Sequence, residues 1–171
     1  MKMIILVTIF LLSTCSAKKN IIFEKVELID VDENYGTARV SANRYNKTSF
    51  FMDVEVNLTK NWPQDALLQM QIFKFSDNNY KKSALGYEKL MCEFIKKDKN
   101  RFFGSDYMKD KIRLADVCPI KGYFWVKADP NRLLENIINF LPLWRCKAIF
   151  SIFNQKTVLF STGFYFRVED D

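Results

Sequence analysis

The chain has no histidine at all. Its absence rules out Ser–His–Asp and Cys–His nucleophilic chemistry within one chain. It also excludes the commonest zinc sites and the one side chain whose ordinary titration falls between about pH 5 and 8. Glycine is scarce, at 5 of 171 residues, and no glycine-rich phosphate loop is present. Past residue 17, no apolar stretch approaches the roughly 18–20 residues of a bilayer-crossing helix. Carboxylates do occur in pairs, as Glu24/Glu27, Asp30/Asp32 and Asp170/Asp171. Their neighbours are turns, strand edges and a terminus, so they read as solvated charge and not as the convergent acids of a glycosidase. These absences point away from an enzyme and from any cofactor or metal.

What is present begins with a secretory signature. Met1-Lys2 is a short positive start, Met3 to Leu12 is apolar except for Thr8, and Ser13-Thr14-Cys15-Ser16-Ala17 supplies small residues for cleavage after Ala17. Residues 1–17 are expected to be a signal peptide. Residues 18–171, 154 of the 171, are expected to form one secreted, extracellular domain. Removing Lys2 with the signal leaves 25 basic residues of 26 against 20 acidic ones, a mild excess too diffuse to imply nucleic acid.

The remainder alternates in the manner of strands. In 50–58, Phe50, Met52, Val54, Val56 and Leu58 face one way, and Phe51, Asp53, Glu55 and Asn57 the other. The same period recurs in 67–75, where Leu68, Met70 and Ile72 share a face, and in 120–127, where Ile120, Gly122, Phe124 and Val126 do. Segments 21–31 and 37–45 read as two earlier strands around the turn cluster 32–36. Segments 144–153 and 157–168 read as a terminal hairpin joined by 154–156, with Phe160, Phe164 and Phe166 in its second arm. Asn61-Trp62-Pro63 and Ser76-Asp77-Asn78-Asn79 break the pattern between strands. Between 85 and 113 the pattern shifts to helical spacing. Leu90, Met91, Phe94 and Ile95 lead into a second piece over 101–113 anchored by Phe102, Phe103 and Tyr107, and one or two further helical turns are expected over 132–140. Lys96, Lys97, Lys99, Arg101, Lys109, Lys111 and Arg113 make 96–113 the most basic region, read as a solvated face. The class is therefore mainly all-β: an antiparallel, immunoglobulin-like sandwich or a barrel of about seven to eight strands, with a short helical insert near residues 85–113.

Three cysteines follow the signal, and the odd number leaves one unpaired or shared between chains. A Cys92–Cys118 bond would staple the insert to the sheet. Cys146, in phase with Trp144, Ala148 and Phe150, is expected to point inward as a small apolar residue, with intermolecular pairing as the alternative. Asn46-Lys47-Thr48 and Asn57-Leu58-Thr59 are N-glycosylation signals, and Asn57 lies on an outward phase. Phenylalanine is abundant, at 16 residues. Composition alone favours a well-filled core over one with room for an apolar ligand.

The order of these elements resembles a known family. Its most specific piece is Cys92, a gap of 25 residues (93–117), then Cys118-Pro119-Ile120-Lys121-Gly122-Tyr123-Phe124-Trp125-Val126, with a return through Leu141-Pro142-Leu143-Trp144-Arg145. This resembles the large insect family of small secreted proteins that includes the CheB chemosensory proteins. That family is similar in fold to the ML lipid-recognition domains and the ganglioside activator. The chain departs from the family in having no Cys in 37–45, where many relatives carry one, and in placing Cys146 where relatives often have an aromatic.

The resemblance implies an ML-type sandwich that binds ligand in chemical sensing and defines no catalytic residues. The expected activity is the holding of a lipid, fatty acid derivative or cuticular hydrocarbon between two sheets by a monomer, with a membrane receptor as a further partner. The candidate lining is Met52, Val54, Val56, Met70, Ile72, Phe124, Val126, Phe150, Phe160 and Phe164. The competing expectation is a secreted interaction protein with a filled core, acting through its surface on a receptor or another extracellular protein.

Overall fold

The computed structural model describes residues 19–44, 50–98, 112–113, 118–129, 141 and 144–170. The expected signal segment, the sequon at Asn46, the basic piece over 101–111 and the expected helical turns over 132–140 lie outside these residues. The described elements are β1 (Lys19–Val31), β2 (Gly36–Arg44), β3 (Phe50–Leu58), β4 (Leu67–Ser76), β5 (Asn79–Leu90), α1 (Met91–Glu93) running into a π turn (Phe94–Asp98), β6 (Ile112–Arg113), β7 (Gly122–Ala128), β8 (Arg145–Asn154) and β9 (Thr157–Asp170). They form two antiparallel sheets, ordered β1-β9-β8-β4-β5 and β2-β3-β7-β6. The protein is an all-β sandwich.

The period-two pattern explains the layering. Met52, Val54, Val56 and Leu58 of β3 are buried while Asn57 is exposed, and Leu68, Met70 and Ile72 of β4 are buried while Gln69 and Gln71 are not. Register aligns these sets across strands. Leu68 sits opposite Ile152, Met70 opposite Phe150 and Ile72 opposite Ala148. Ala148 in turn faces Phe164, and Ile152 faces Phe160. Val54 and Val56 lie opposite Val126 and Phe124. Each large side chain fully withdrawn from water in this way contributes about 1.5–3 kcal/mol.

The turns carry their own chemistry. Asp32 accepts from the backbone N–H (3.0 Å) and side-chain amide (2.9 Å) of Asn34, closing the turn that carries the chain from one sheet to the other. Gly36 follows because nothing larger fits: a Cβ there would lie 2.2 Å from the Asn57 carbonyl oxygen. Asp77 and Asn78 take φ values of 52° and 60° in the two-residue β4–β5 turn, a conformation those side chains tolerate well.

The expected helical insert needs correction. Residues 85–90 belong to β5, helix is confined to Met91–Glu93 and the π turn after it, and Ile112–Arg113 is a strand paired with β7. The helical spacing holds for Met91, Phe94 and Ile95, all buried, but not for Leu90, which is 38% exposed. β5 is an edge strand in its sheet, so its alternation is muted. Tyr80, Tyr87 and Lys89 are only half-buried between charged neighbours such as Lys81, Lys82 and Glu88. Trp144 also departs from expectation. It precedes β8 and is 45% exposed, with the Lys74 ammonium 3.0 Å from the centre of its ring.

Cys92 and Cys118 are bonded, with Cα atoms 5.6 Å apart, and tie α1 to the segment leading into β7. The Cys118–Pro119 peptide is cis. Cys146 is a free, fully buried thiol, and burial pushes its pKa up to about 11. Replacing both Cys92 and Cys118 by Ser frees a loop with a sequence separation of 26. The chain-entropy model puts the expected loss of stability at about 3 kcal/mol. The check is a thermal melt of the double variant, which should fall clearly below the parent; an unchanged midpoint would contradict the staple.

Candidate functional site

The ten residues expected to line a site come from five strands and lie on the facing inner surfaces. Met52, Val54 and Val56 project from β3, and Phe124 and Val126 from β7. Met70 and Ile72 project from β4, Phe150 from β8, and Phe160 and Phe164 from β9. Eight are buried; Val126 and Phe150 are half-buried against the core. Phe164 joins two aromatic contacts. Its ring meets Phe150 edge-on at 5.2 Å and Phe23 of β1 at 6.5 Å.

One inner row of the five-stranded sheet differs from the rows flanking it. It runs Leu28, Thr162, Phe150, Met70, Tyr87 across β1, β9, β8, β4 and β5. Leu28 is 37% exposed, and Phe150 and Tyr87 are half-buried. Met70 is buried but stands outside the contiguous apolar cluster. On β9, β8 and β4 the flanking rows are wholly buried, with Phe164, Ala148 and Ile72 on one side and Phe160, Ile152 and Leu68 on the other, so Phe150 is the member that differs. Thr162 is polar and buried, and its hydroxyl donates to the Glu27 carbonyl at 2.9 Å.

Some inward residues were not legible as part of this layer. Phe23 follows a muted alternation in β1, where bulges fall between Phe23 and Lys25 and between Leu28 and Asp30. Trp62 reads in sequence only as part of a strand breaker, yet it is 1% exposed and its ring meets Phe124 edge-on at 5.2 Å. A large aromatic immediately after a buried strand was the available signal.

The outer face of the five-stranded sheet carries a cross-strand ion-pair network beside an aromatic cluster of Phe75, Tyr80 and Tyr165. Glu24 bonds Arg145 (2.7 Å) and Arg167 (3.2 Å). Glu27 accepts from Lys25 (2.5 Å), Lys147 (3.4 Å) and the Tyr165 hydroxyl, while both lysines also sit over the Tyr165 ring. The Glu24/Glu27 pair is thus bound up in cross-strand ion pairs and is not simply solvated. The lysine and tyrosine donors hold the Glu27 carboxyl down at about 2. Among the described residues no three His, Cys, Asp or Glu side chains converge on a point that could hold a metal ion. No helix among them is long and apolar enough to cross a membrane. Asn57 is exposed on the outer face of β3, with Thr59 exposed beyond the strand end. The chain matches no protein-family model and no curated protein sequence.

The depressed Glu27 carboxyl has a pH consequence of definite sign. A folded-state pKa below the unfolded value gives stability that is present above about pH 4.5 and is lost as pH falls toward 2. Urea midpoints measured from pH 5 down to pH 2 should fall for the parent chain and fall less steeply for Glu27→Gln. Parallel curves would contradict the assigned pairing.

Proposed function

We propose that the protein is a secreted, non-enzymatic binder that holds one apolar molecule between its two sheets, as expected for a relative of the CheB-containing insect family with its ML-like fold. The observation that carries this reading is the inner row through Phe150 and Met70. Phe150 is half-buried there, between neighbours that are fully buried on β8, and the row is exposed at its Leu28 end. Methionine suits such a position because its unbranched side chain repacks around chains of different shape. The ligand class is a lipid, a fatty acid derivative or a long hydrocarbon. The driving force is removal of its apolar surface from water, about 0.8 kcal/mol for each buried methylene.

A second reading has separate support. Tyr123, Trp144 and Ile29 are large, apolar or aromatic, and 44–48% exposed. A secreted interaction protein with a filled core would use such groups to contact a receptor or another extracellular protein.

The two readings separate in a chain-length series. Displacement of a bound apolar fluorophore should strengthen about fourfold per added methylene until the interior is filled. With no histidine to titrate, affinity should stay flat between about pH 5 and 8. Failure to take up the fluorophore, together with indifference to every chain length, would remove the ligand-binding reading in favour of the surface one.

A further inference from the structure

Two buried side-chain atoms among the described residues have no hydrogen-bond partner: Asp53 Oδ1 and Trp62 Nε1. They differ in setting. Asp53 is on the outer face of β3, and its other oxygen lies 3.6 Å from the Lys127 ammonium, so a cation is at hand. Trp62 is 1% exposed and belongs to the apolar core cluster. The other buried polar side chains are satisfied: Ser151 and Ser161 bond each other at 2.8 Å, and Thr162 reaches a backbone carbonyl. Leaving an N–H buried and unpaired costs about 1–3 kcal/mol, so native proteins rarely do it without a use.

The indole is held firmly in this position. The Trp62 backbone N–H donates to the Ile120 carbonyl at 3.0 Å, binding the β3–β4 loop to the segment before β7. On the other side, Ala66 donates to Pro63 at 3.1 Å and receives the Met91 N–H at 2.8 Å, which fixes the loop to the β5–α1 junction. The ring edge packs on Phe124, one of the inner-face residues of β7. Trp62 therefore stands at the end of the inter-sheet layer nearest the Cys92–Cys118 bond, with its donor locked in apolar surroundings.

Building on the ligand-binding reading above, we propose that Trp62 Nε1 is the polar recognition point for the bound molecule, and that this molecule is an apolar chain carrying a neutral hydrogen-bond acceptor, such as an ester or ketone. An indole nitrogen can only donate, so its partner must accept. A bare hydrocarbon offers no acceptor and leaves the cost in place. A carboxylate would accept, but it would bring an unpaired charge into the core, which is more expensive to desolvate than a neutral carbonyl. The best ligand is thus an ester or ketone, ahead of both the matching alkane and the matching free acid.

The experiment uses the full mature chain from a secretory host loaded with an apolar naphthylamine fluorophore. Methyl palmitate, heptadecane and palmitate compete for the site at pH 7. The ester should displace the fluorophore at least tenfold more effectively than the alkane or the acid. The Trp62 indole N–H resonance, one of three in the chain, should move downfield with the ester and stay in place with the alkane. Trp62→Phe should lose the preference for the ester, bringing the ester-to-alkane ratio down to about one. Equal displacement by ester and alkane, or an unmoved indole resonance, overturns the inference while leaving apolar binding intact. No fluorophore uptake by the parent chain overturns both this inference and the reading beneath it. The parent ratio and the resonance need no variant, so a Trp62→Phe chain that fails to fold does not shield the proposal.

Discussion

A β-strand turns every second side chain to the same side, so an apolar set at that spacing can leave water only against another such set. In this chain β3 and β7 present one set, and β4, β8 and β9 present the other. The sandwich is the arrangement that buries both. Strand register, the sheet-crossing turn at Asp32–Gly36 and the placement of the disulfide all follow from keeping those faces together. Phe166, Val56 and Met52 are almost completely removed from water because they stand where the layers meet.

Polar chemistry refines this arrangement from outside. On the five-stranded sheet, Glu24 and Glu27 of β1 gather cations and the Tyr165 hydroxyl from β8 and β9, so charge pairing acts across three strands on the face opposite the core. Such pairs add little individually at a surface, but a shared, partly shielded carboxylate is stronger than isolated ones. The Cys92–Cys118 bond supplies the link at the end where α1 interrupts the sheets. Trp62 fills the same end from the β3–β4 loop, in a position that places a lone donor inside the apolar layer.

How much of this could be read in advance depended on how cleanly each segment alternated. β3 and β4 were legible because their inward residues are apolar at period two, and β9 because Phe160, Phe164 and Phe166 share one phase. β5 was not, because an edge strand with Lys81, Lys82 and Glu88 has no wholly buried face to announce it, and the helical spacing of Met91, Phe94 and Ile95 reached backward over its end. The inward turn of Cys146 and its lack of a partner followed from phase and from an odd count. Candidate lining residues were legible as an inner face, since burial is what alternation encodes. The partial exposure of Phe150 in its row and the unpaired nitrogen of Trp62 were not, because both depend on which residues from distant strands meet.

Ligand binding between the sheets requires an interior that accommodates a guest molecule. Native mass spectrometry of the chain expressed in a secretory host, followed by lipid extraction of the same sample, addresses that most directly. The expected result is one co-purifying apolar molecule per protein, released on unfolding and bearing a neutral carbonyl group. A homogeneous, stable and empty protein that also gains no mass on exposure to long-chain esters would contradict it and assign the molecule's activity to its outer surfaces.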